Sequence, residues 1–179
     1  RLINHFSDLR SYIDFLYDSV QERNILSSDL LINVTRFFRD STAWMYLESM
    51  VISPLIENNK SGEELRFWVT ACSTGEEAYS LGIAIDEIMS KYSKQFRIKI
   101  FATDVDRLAL EKAANGIYPT TISNDLSEER LQKYFVYRDG NYQVKRQLRE
   151  MMIFAPHDLT KDAGFTRMHL VTCRNMLIY

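Results

Sequence analysis

Cysteine is scarce in this chain: Cys72 and Cys173 are the two present, too few for a disulfide framework. Both sit in apolar, strand-like runs where a reduced thiol packs well, so a reducing, cytoplasmic setting is expected. No apolar stretch approaches the roughly 18 residues that a bilayer span needs. Residues 1–10 also lack the basic-then-apolar layout of a secretory leader, and no direct membrane insertion is expected. Charge of one sign is missing too. Lys and Arg number 22 against 24 Asp and Glu, a formal balance of −2 that supplies no positive field for a phosphate backbone. Nucleic acid is therefore not expected as a partner. The histidines His5, His157 and His169 are scattered without ligand spacing, which argues against a metal site. There is no internal repeat and no low-complexity tract.

What remains is an ordinary globular composition, 46% hydrophobic and 26% charged over 179 residues, enough for one domain or a domain with a small helical cap. Leu2, Phe6, Leu9, Ile13, Leu16 and Val20 recur at helical spacing and predict one apolar stripe, with Ser7 as a possible N-cap interrupting it. Further helices are expected from Ser27 and Ser28, and after Ser41, the latter with Trp44, Leu47, Val51 and Leu55 on one side. The polar run at 58–62 predicts a boundary, giving a helical N-terminal domain over 1–60 and a second domain over 61–179.

From Leu65 the pattern changes to strand (65–71), Gly-containing turn, helix (76 to about 91), strand (97–103) and helix (107 to about 115). Such alternation means βαβ units and a parallel sheet, so the fold class is α/β. Ser127 reads as a further helix cap, and Asp139-Gly140 between two apolar runs predicts a tight hairpin. Buried strands are expected again at 151–156 and 169–173, which makes 117–150 an insert.

The segment from Trp68 to Ser80 runs a strand through a tight turn into a helix, and in an open α/β sheet that turn faces the ligand crevice. Gly75 would let a ligand approach the backbone, although a ligand-free turn favours glycine equally. The next strand ends in Asp104 and Asp106, where nucleotide-binding sheets place an acid on ribose hydroxyls. The first turn lacks G-x-G-x-x-G and carries Glu76 and Glu77, which would repel a pyrophosphate; each glutamate taken singly also suits a helix N-terminus. A cationic adenosine cofactor, S-adenosylmethionine, fits this charge pattern better than a dinucleotide.

Five segments then act together: 33–40 (Asn-Val-Thr-Arg-Phe-Phe-Arg-Asp), 71–77 (Ala-Cys-Ser-Thr-Gly-Glu-Glu), 102–106 (Ala-Thr-Asp-Val-Asp), 116–118 (Gly-Ile-Tyr) and 173–179 (Cys-Arg-Asn-Met-Leu-Ile-Tyr). In that order they resemble the CheR-type chemotaxis receptor methyltransferases over nearly the whole chain. The resemblance implies a helical N-terminal domain followed by a Rossmann-like methyltransferase sheet with a small antiparallel β subdomain. It also implies methylation of glutamate side chains on chemoreceptor cytoplasmic helices, with S-adenosylmethionine consumed and S-adenosylhomocysteine produced. Carried over by position, the cofactor contacts fall on Asn33, Thr35, Arg39, Glu77, Asp104, Asp158, Leu159, Asn175 and Met176, and the pair beside methyl donor and acceptor on Arg39 and Tyr179.

The chain departs from that family in having Ala78 where proline is frequent and Asp158 where asparagine is frequent. The family fold also continues beyond the point matching Tyr179, so a missing C-terminal part is expected. A glutamate acceptor is already ionised at neutral pH, its reference pKa being about 4.3, which removes the need for a general base. Phe37 and Phe38 are expected to pack an interdomain seam. The short hairpin at 136–142, with one glycine, leaves little loop for a receptor tethering peptide, and direct recognition through the N-terminal helices is expected instead. Two other functions stay open: a cofactor-binding regulatory module without turnover, and a methyltransferase acting on a small molecule.

Overall fold

The computed structural model describes residues 8–30 and 35–176. The chain divides into two compact units, 1–33 and 34–179. In the first, α1 (Leu9–Asp18) is followed directly by α2 (Val20–Leu30). Asp8, not Ser7, caps α1, its carboxylate accepting the Ser11 N–H. Ser19 provides the corresponding hydroxyl for the Glu22 N–H, so α2 starts well before Ser27 and Ser28, which lie inside it. Leu2 and Phe6 of the expected apolar stripe lie outside the described residues, and its described members are not the buried face: Leu9 is 72% exposed and Val20 61% exposed. Tyr12 is buried instead, its hydroxyl donating to buried Glu22 across the two helices at 3.0 Å.

The second unit opens with a helical rod made of α3 (Ser41–Leu47), a π-helical turn (Glu48–Ile52) and α4 (Ser53–Asn58). Asp40 caps it, accepting from the Ala43 N–H. Pro54 lacks an N–H and crowds the preceding turn, and the wider π turn stands where that strain would fall. The extra residue per turn rotates the apolar face. Ile52 and Ile56 are fully buried with Trp44, while Val51, expected on that face, is exposed. These side chains share a core with Leu65, Phe67 and Val69 of the following strand. The polar run at 58–62 is accordingly a turn inside this unit, and the compact boundary falls at 33/34.

Next come β1 (Glu64–Thr70), α5 (Glu76–Lys91), β2 (Arg97–Asp104) and α6 (Arg107–Asn115). The insert contributes β3 (Ile117–Pro119), a 3-10 turn (Thr120–Asn124), α7 (Glu128–Tyr134), β4 (Phe135–Arg138), β5 (Asn141–Val144) and α8 (Arg146–Arg149). The chain returns to the main sheet as β6 (Met152–Pro156) and β7 (Leu170–Thr172). The main sheet is wholly parallel with order β6-β2-β1-β7, and the insert sheet is antiparallel with order β3-β5-β4. This is the α/β arrangement with a parallel sheet that the alternation predicts, and it fits the Rossmann-like domain with a small antiparallel subdomain that the resemblance implies.

Register explains the layers. Phe67 pairs with Ile100 and Val69 with Ala102, and these fully buried residues face α5 and the 41–58 rod. On the opposite face Trp68 packs edge-on against His157 and Phe165, its indole N–H donating to Thr103 Oγ1 at 2.9 Å. A second core lies in the insert around Tyr79, Tyr118, Tyr134, Phe135 and Leu148. Phe37 belongs to it, while Phe38 touches both cores. The two phenylalanines therefore pack inside the unit that begins at Val34. At the hairpin tip Asp139 and Gly140 both have positive φ, 50° and 75°, as a two-residue primed turn requires.

Candidate functional site

Because all four strands of the main sheet run parallel, the loops after β1, β2, β6 and β7 emerge along one edge. The chain lays β2 and β6 on one side of β1 and then β7 on the other, so the strand order reverses between β1 and β7. That reversal is where open α/β sheets form their ligand crevice. Thr70 fastens it, donating its hydroxyl to the Thr172 carbonyl at 2.8 Å.

The turn after β1 is held under strain. Ala71 and Ser73 both have φ of 49° and Gly75 has 94°, and a side chain in the left-handed region costs about 1–2 kcal/mol. Hydrogen bonds offset this: Cys72 N–H donates to Thr103 O at 2.9 Å, and the Tyr118 hydroxyl donates to Thr74 O at 2.7 Å. Gly75 is required for a reason other than ligand approach. A Cβ there would sit 2.8 Å from Ala113 Cβ and 3.2 Å from the Tyr118 hydroxyl. The space beside this glycine belongs to α6 and the insert.

Asp104 is 9% exposed and anchors the edge. Its Oδ2 accepts the Ser73 N–H at 2.7 Å and its Oδ1 the Asp106 N–H at 2.9 Å. Its carbonyl accepts the His157 N–H at 3.0 Å. One residue thus ties together the turns after β1, β2 and β6, and each carboxylate oxygen keeps acceptor capacity for a further hydroxyl. Asp106, the other acid at this strand end, is the N-cap of α6, accepting from Leu108 and Ala109 N–H.

The two glutamates of the first helical turn part company. Glu76 Oε2 accepts from the Thr74 hydroxyl at 2.7 Å, within its own turn. Glu77 Oε1 accepts from the Thr172 hydroxyl at 2.7 Å, across the strand reversal. Burial pushes the Glu77 carboxyl above the usual range, while the Thr172 hydrogen bond and the charges of Arg174 and Arg39 pull it down. Arg174 in turn donates to the Arg39 carbonyl at 2.7 Å and stacks on Trp44. The structure therefore brings Arg39, Glu77, Thr172 and Arg174 to one place, with Asp104 across the β1 turn.

Asp158 and Leu159 follow β6 on the same edge. Asp158 is satisfied locally, accepting from Thr160 N–H and hydroxyl and pairing with Lys161 at 2.8 Å, which holds its carboxyl well below the ordinary range. Asn175, with φ of 55°, and Met176 follow β7. Thr35 begins the described stretch that leads to Arg39. Asn33 and Tyr179 lie outside the described residues. Thr172 and Arg174 are site residues that sequence reasoning passed over; the signal was there, since Thr172 ends its strand as Thr70 ends β1, and Arg174 sits inside the Cys-Arg-Asn-Met segment.

The donor set has a definite chemistry. Asp104 and a desolvated Glu77 bring hydroxyl acceptors to this edge, and the helix N-terminus that would cradle a phosphate carries two carboxylates. An adenosine bearing positive charge fits these residues, and a dinucleotide does not. Of the two thiols, Cys72 is buried under the turn, where desolvation and the Asp104 charge push its pKa well up, whereas Cys173 is exposed just beyond β7. Among the described residues no group of three His, Cys, Asp or Glu side chains could hold a metal ion, and no helix is long and apolar enough to cross a membrane.

Two stability measurements test this geometry. Asp104→Ala strands the Ser73 and Asp106 N–H groups and should lower stability by about 1–3 kcal/mol in denaturant titration; an unchanged midpoint would remove the clamp. For Glu77 the folded carboxyl titrates above its unfolded value, so its contribution is present at low pH and lost as pH rises through the folded pKa. Glu77→Gln should therefore be at least as stable as the parent at pH 7, with its relative advantage disappearing below about pH 4. A Gln variant that is less stable at pH 7 would contradict the burial argument.

Comparison with known proteins agrees with this chemistry. The family model described as CheR methyltransferase, SAM binding domain, matches residues 33–179. A Rhodobacter capsulatus protein described as an uncharacterized 104.1 kDa protein in the hypE 3' region is 40% identical over 177 residues, covering 99% of this chain and 19% of that protein. Chemotaxis protein methyltransferases of Listeria innocua and Listeria monocytogenes are 35% and 32% identical, covering 84% and 100% of this chain. The chain spans 55% of the first of these and 68% of the second. Since the matched region takes in most of the chain and includes every strand of both sheets, the protein belongs to the CheR methyltransferase family, through its S-adenosylmethionine-binding domain.

Proposed function

We propose that this domain esterifies glutamate side chains on chemoreceptor cytoplasmic helices in the cytoplasm. The observation that carries the reading is the meeting of Glu77, Arg39 and Arg174 at the strand reversal, beside Asp104. Asp104 is assigned to the ribose hydroxyls and Glu77 to the cationic amino-acid end of the cofactor. Asn33, Thr35, Asp158, Leu159, Asn175 and Met176 complete the cofactor contacts. S-adenosylmethionine, when bound, supplies a methyl group on a sulfonium.

The protein's own task is then orientation. The acceptor carboxylate arrives ionised, so no side chain has to take its proton. Arg39 holds that carboxylate by charge-assisted hydrogen bonds and fixes the line of attack, and orienting the acceptor is also assigned to Tyr179. Excluding water from this edge strengthens both contacts. With the cofactor bound, its methyl carbon would pass to the acceptor oxygen and the bonding pair would stay with sulfur; the part of this chain's residues is to hold the carboxylate in line and keep water out. Receptor recognition is assigned to the N-terminal helices, whose Leu9, Tyr17 and Val20 are exposed apolar side chains. The two-residue turn at Asp139-Gly140 supports recognition without a tethering peptide.

Incubation with methyl-labelled S-adenosylmethionine and a receptor cytoplasmic domain should give label that alkali releases as methanol. Base-stable label, or none on the receptor, would sink the glutamate assignment. Arg39→Ala should cut transfer about 100-fold or more while leaving the thermal midpoint nearly unchanged. Removing the receptor's C-terminal tail should leave transfer within about threefold; a larger drop, with binding of the isolated tail peptide, would restore a tether.

A further inference from the structure

Arg130 lies in α7 of the insert and is not itself assigned to the cofactor, yet side chains from several elements converge on it. Its Nε donates to Glu87 Oε1 at 3.0 Å and its Nη2 to Glu87 Oε2 at 2.7 Å, a two-point grip on α5. Glu48, in the π-helical turn, stands 3.9 Å from the same Nη2. The face of the guanidinium lies over the Phe38 ring, with Cζ 3.9 Å from its centroid. Contacts from positions 38, 48 and 87 thus fix the plane of this guanidinium, and its face lies against Phe38.

Phe38 is not a relaxed residue. Its φ is 47°, and Asp40 two positions on has 64°, so Arg39 is carried between two left-handed residues that are not glycine. Such a backbone persists only where its surroundings over-determine it. Here the Phe38 N–H donates to Ser80 Oγ at 3.0 Å, and its ring meets Trp44 edge-on at 5.1 Å. Phe37 is sunk between Tyr118 and Phe135 of the insert. Arg130 lies over the face of the Phe38 ring.

We propose that Arg130 is a positioning residue: acting through Phe38, it sets the backbone from which Arg39 reaches the transfer site. The inference rests on the reading of Arg39 given above, and it gives the insert a part in the reaction. A guanidinium can bind Glu87 through its edge while stacking on Phe38 through its face; an ammonium has no plane with which to do both.

The test is a double-mutant cycle on the full chain, with methyl transfer, S-adenosylhomocysteine calorimetry and tryptic cleavage after Arg39 as readouts. Arg130→Met should lower kcat about 10- to 100-fold, speed cleavage after Arg39 in the otherwise intact chain, and cause no further loss of transfer in an Arg39→Ala background. Arg130→Lys should fall between the two, and Glu87→Gln should show the same pattern more weakly if Arg130→Met fails to fold. A loss that repeats in full in the Arg39→Ala background, or cleavage no faster than in the parent, would overturn the proposal. Faster cleavage alongside an Arg39→Ala variant that transfers normally would uphold the hold on the loop and reject Arg39 as a reacting-group contact.

Discussion

The carboxylate of Asp104 is the interaction on which the rest of this edge depends. Its two oxygens take backbone N–H groups from separate turns, and its carbonyl takes a third. The turn after β1 contains two non-glycine residues in the left-handed region, so without that anchor its backbone has lower-energy shapes to adopt. Everything placed by the turn, including the start of α5 and with it Glu77, inherits its position from this one side chain. A buried carboxylate is costly to leave unpaired, and the same hydrogen bonds that hold the loops satisfy most of its need.

Above that anchor the unit is organised as two cores joined at a seam. One packs the parallel sheet against α5 and the 41–58 rod, and the other fills the insert. Phe38, Met151, Met152 and Phe154 touch both, so the insert is continuous with the sheet. The loop bearing Arg39 runs along this seam. Its geometry is consequently a property of the packed whole, since short-range contacts alone would not hold Phe38 and Asp40 in left-handed backbone.

Much of this was legible in the residues. The alternation after Leu65, the cap at Ser127 and the Asp139-Gly140 turn each carry a local signal strong enough to survive folding, and the helices expected from Glu76 to about Lys91 and from Arg107 to about Asn115 are present. Failures had specific causes. The stripe from Leu9 to Val20 obeyed helical periodicity, yet Tyr12 is the buried side chain of α1, because a hydroxyl that pairs with Glu22 outweighs the average apolar face. In the 41–58 rod a π turn next to Pro54 shifted the register, something a fixed 3.6-residue period cannot express. Gly75 was rightly singled out, but the atoms it makes room for come from α6 and the insert, which no local reading contains. Arg130 resembled any solvated helix arginine; only the tertiary approach of Phe38 and Glu87 distinguishes it.

The unequal environments of the two thiols have a practical reach. A thiolate is the reactive form, and Cys72, sealed beneath the turn and next to a negative charge, is kept from ionising. Cys173 is open to solvent one residue past β7 and two before Asn175. Maleimide or spin-label chemistry on the unmodified sequence will therefore place a single probe at the lip of the crevice, a native reporter of cofactor entry that needs no engineered cysteine and leaves the buried anchor untouched.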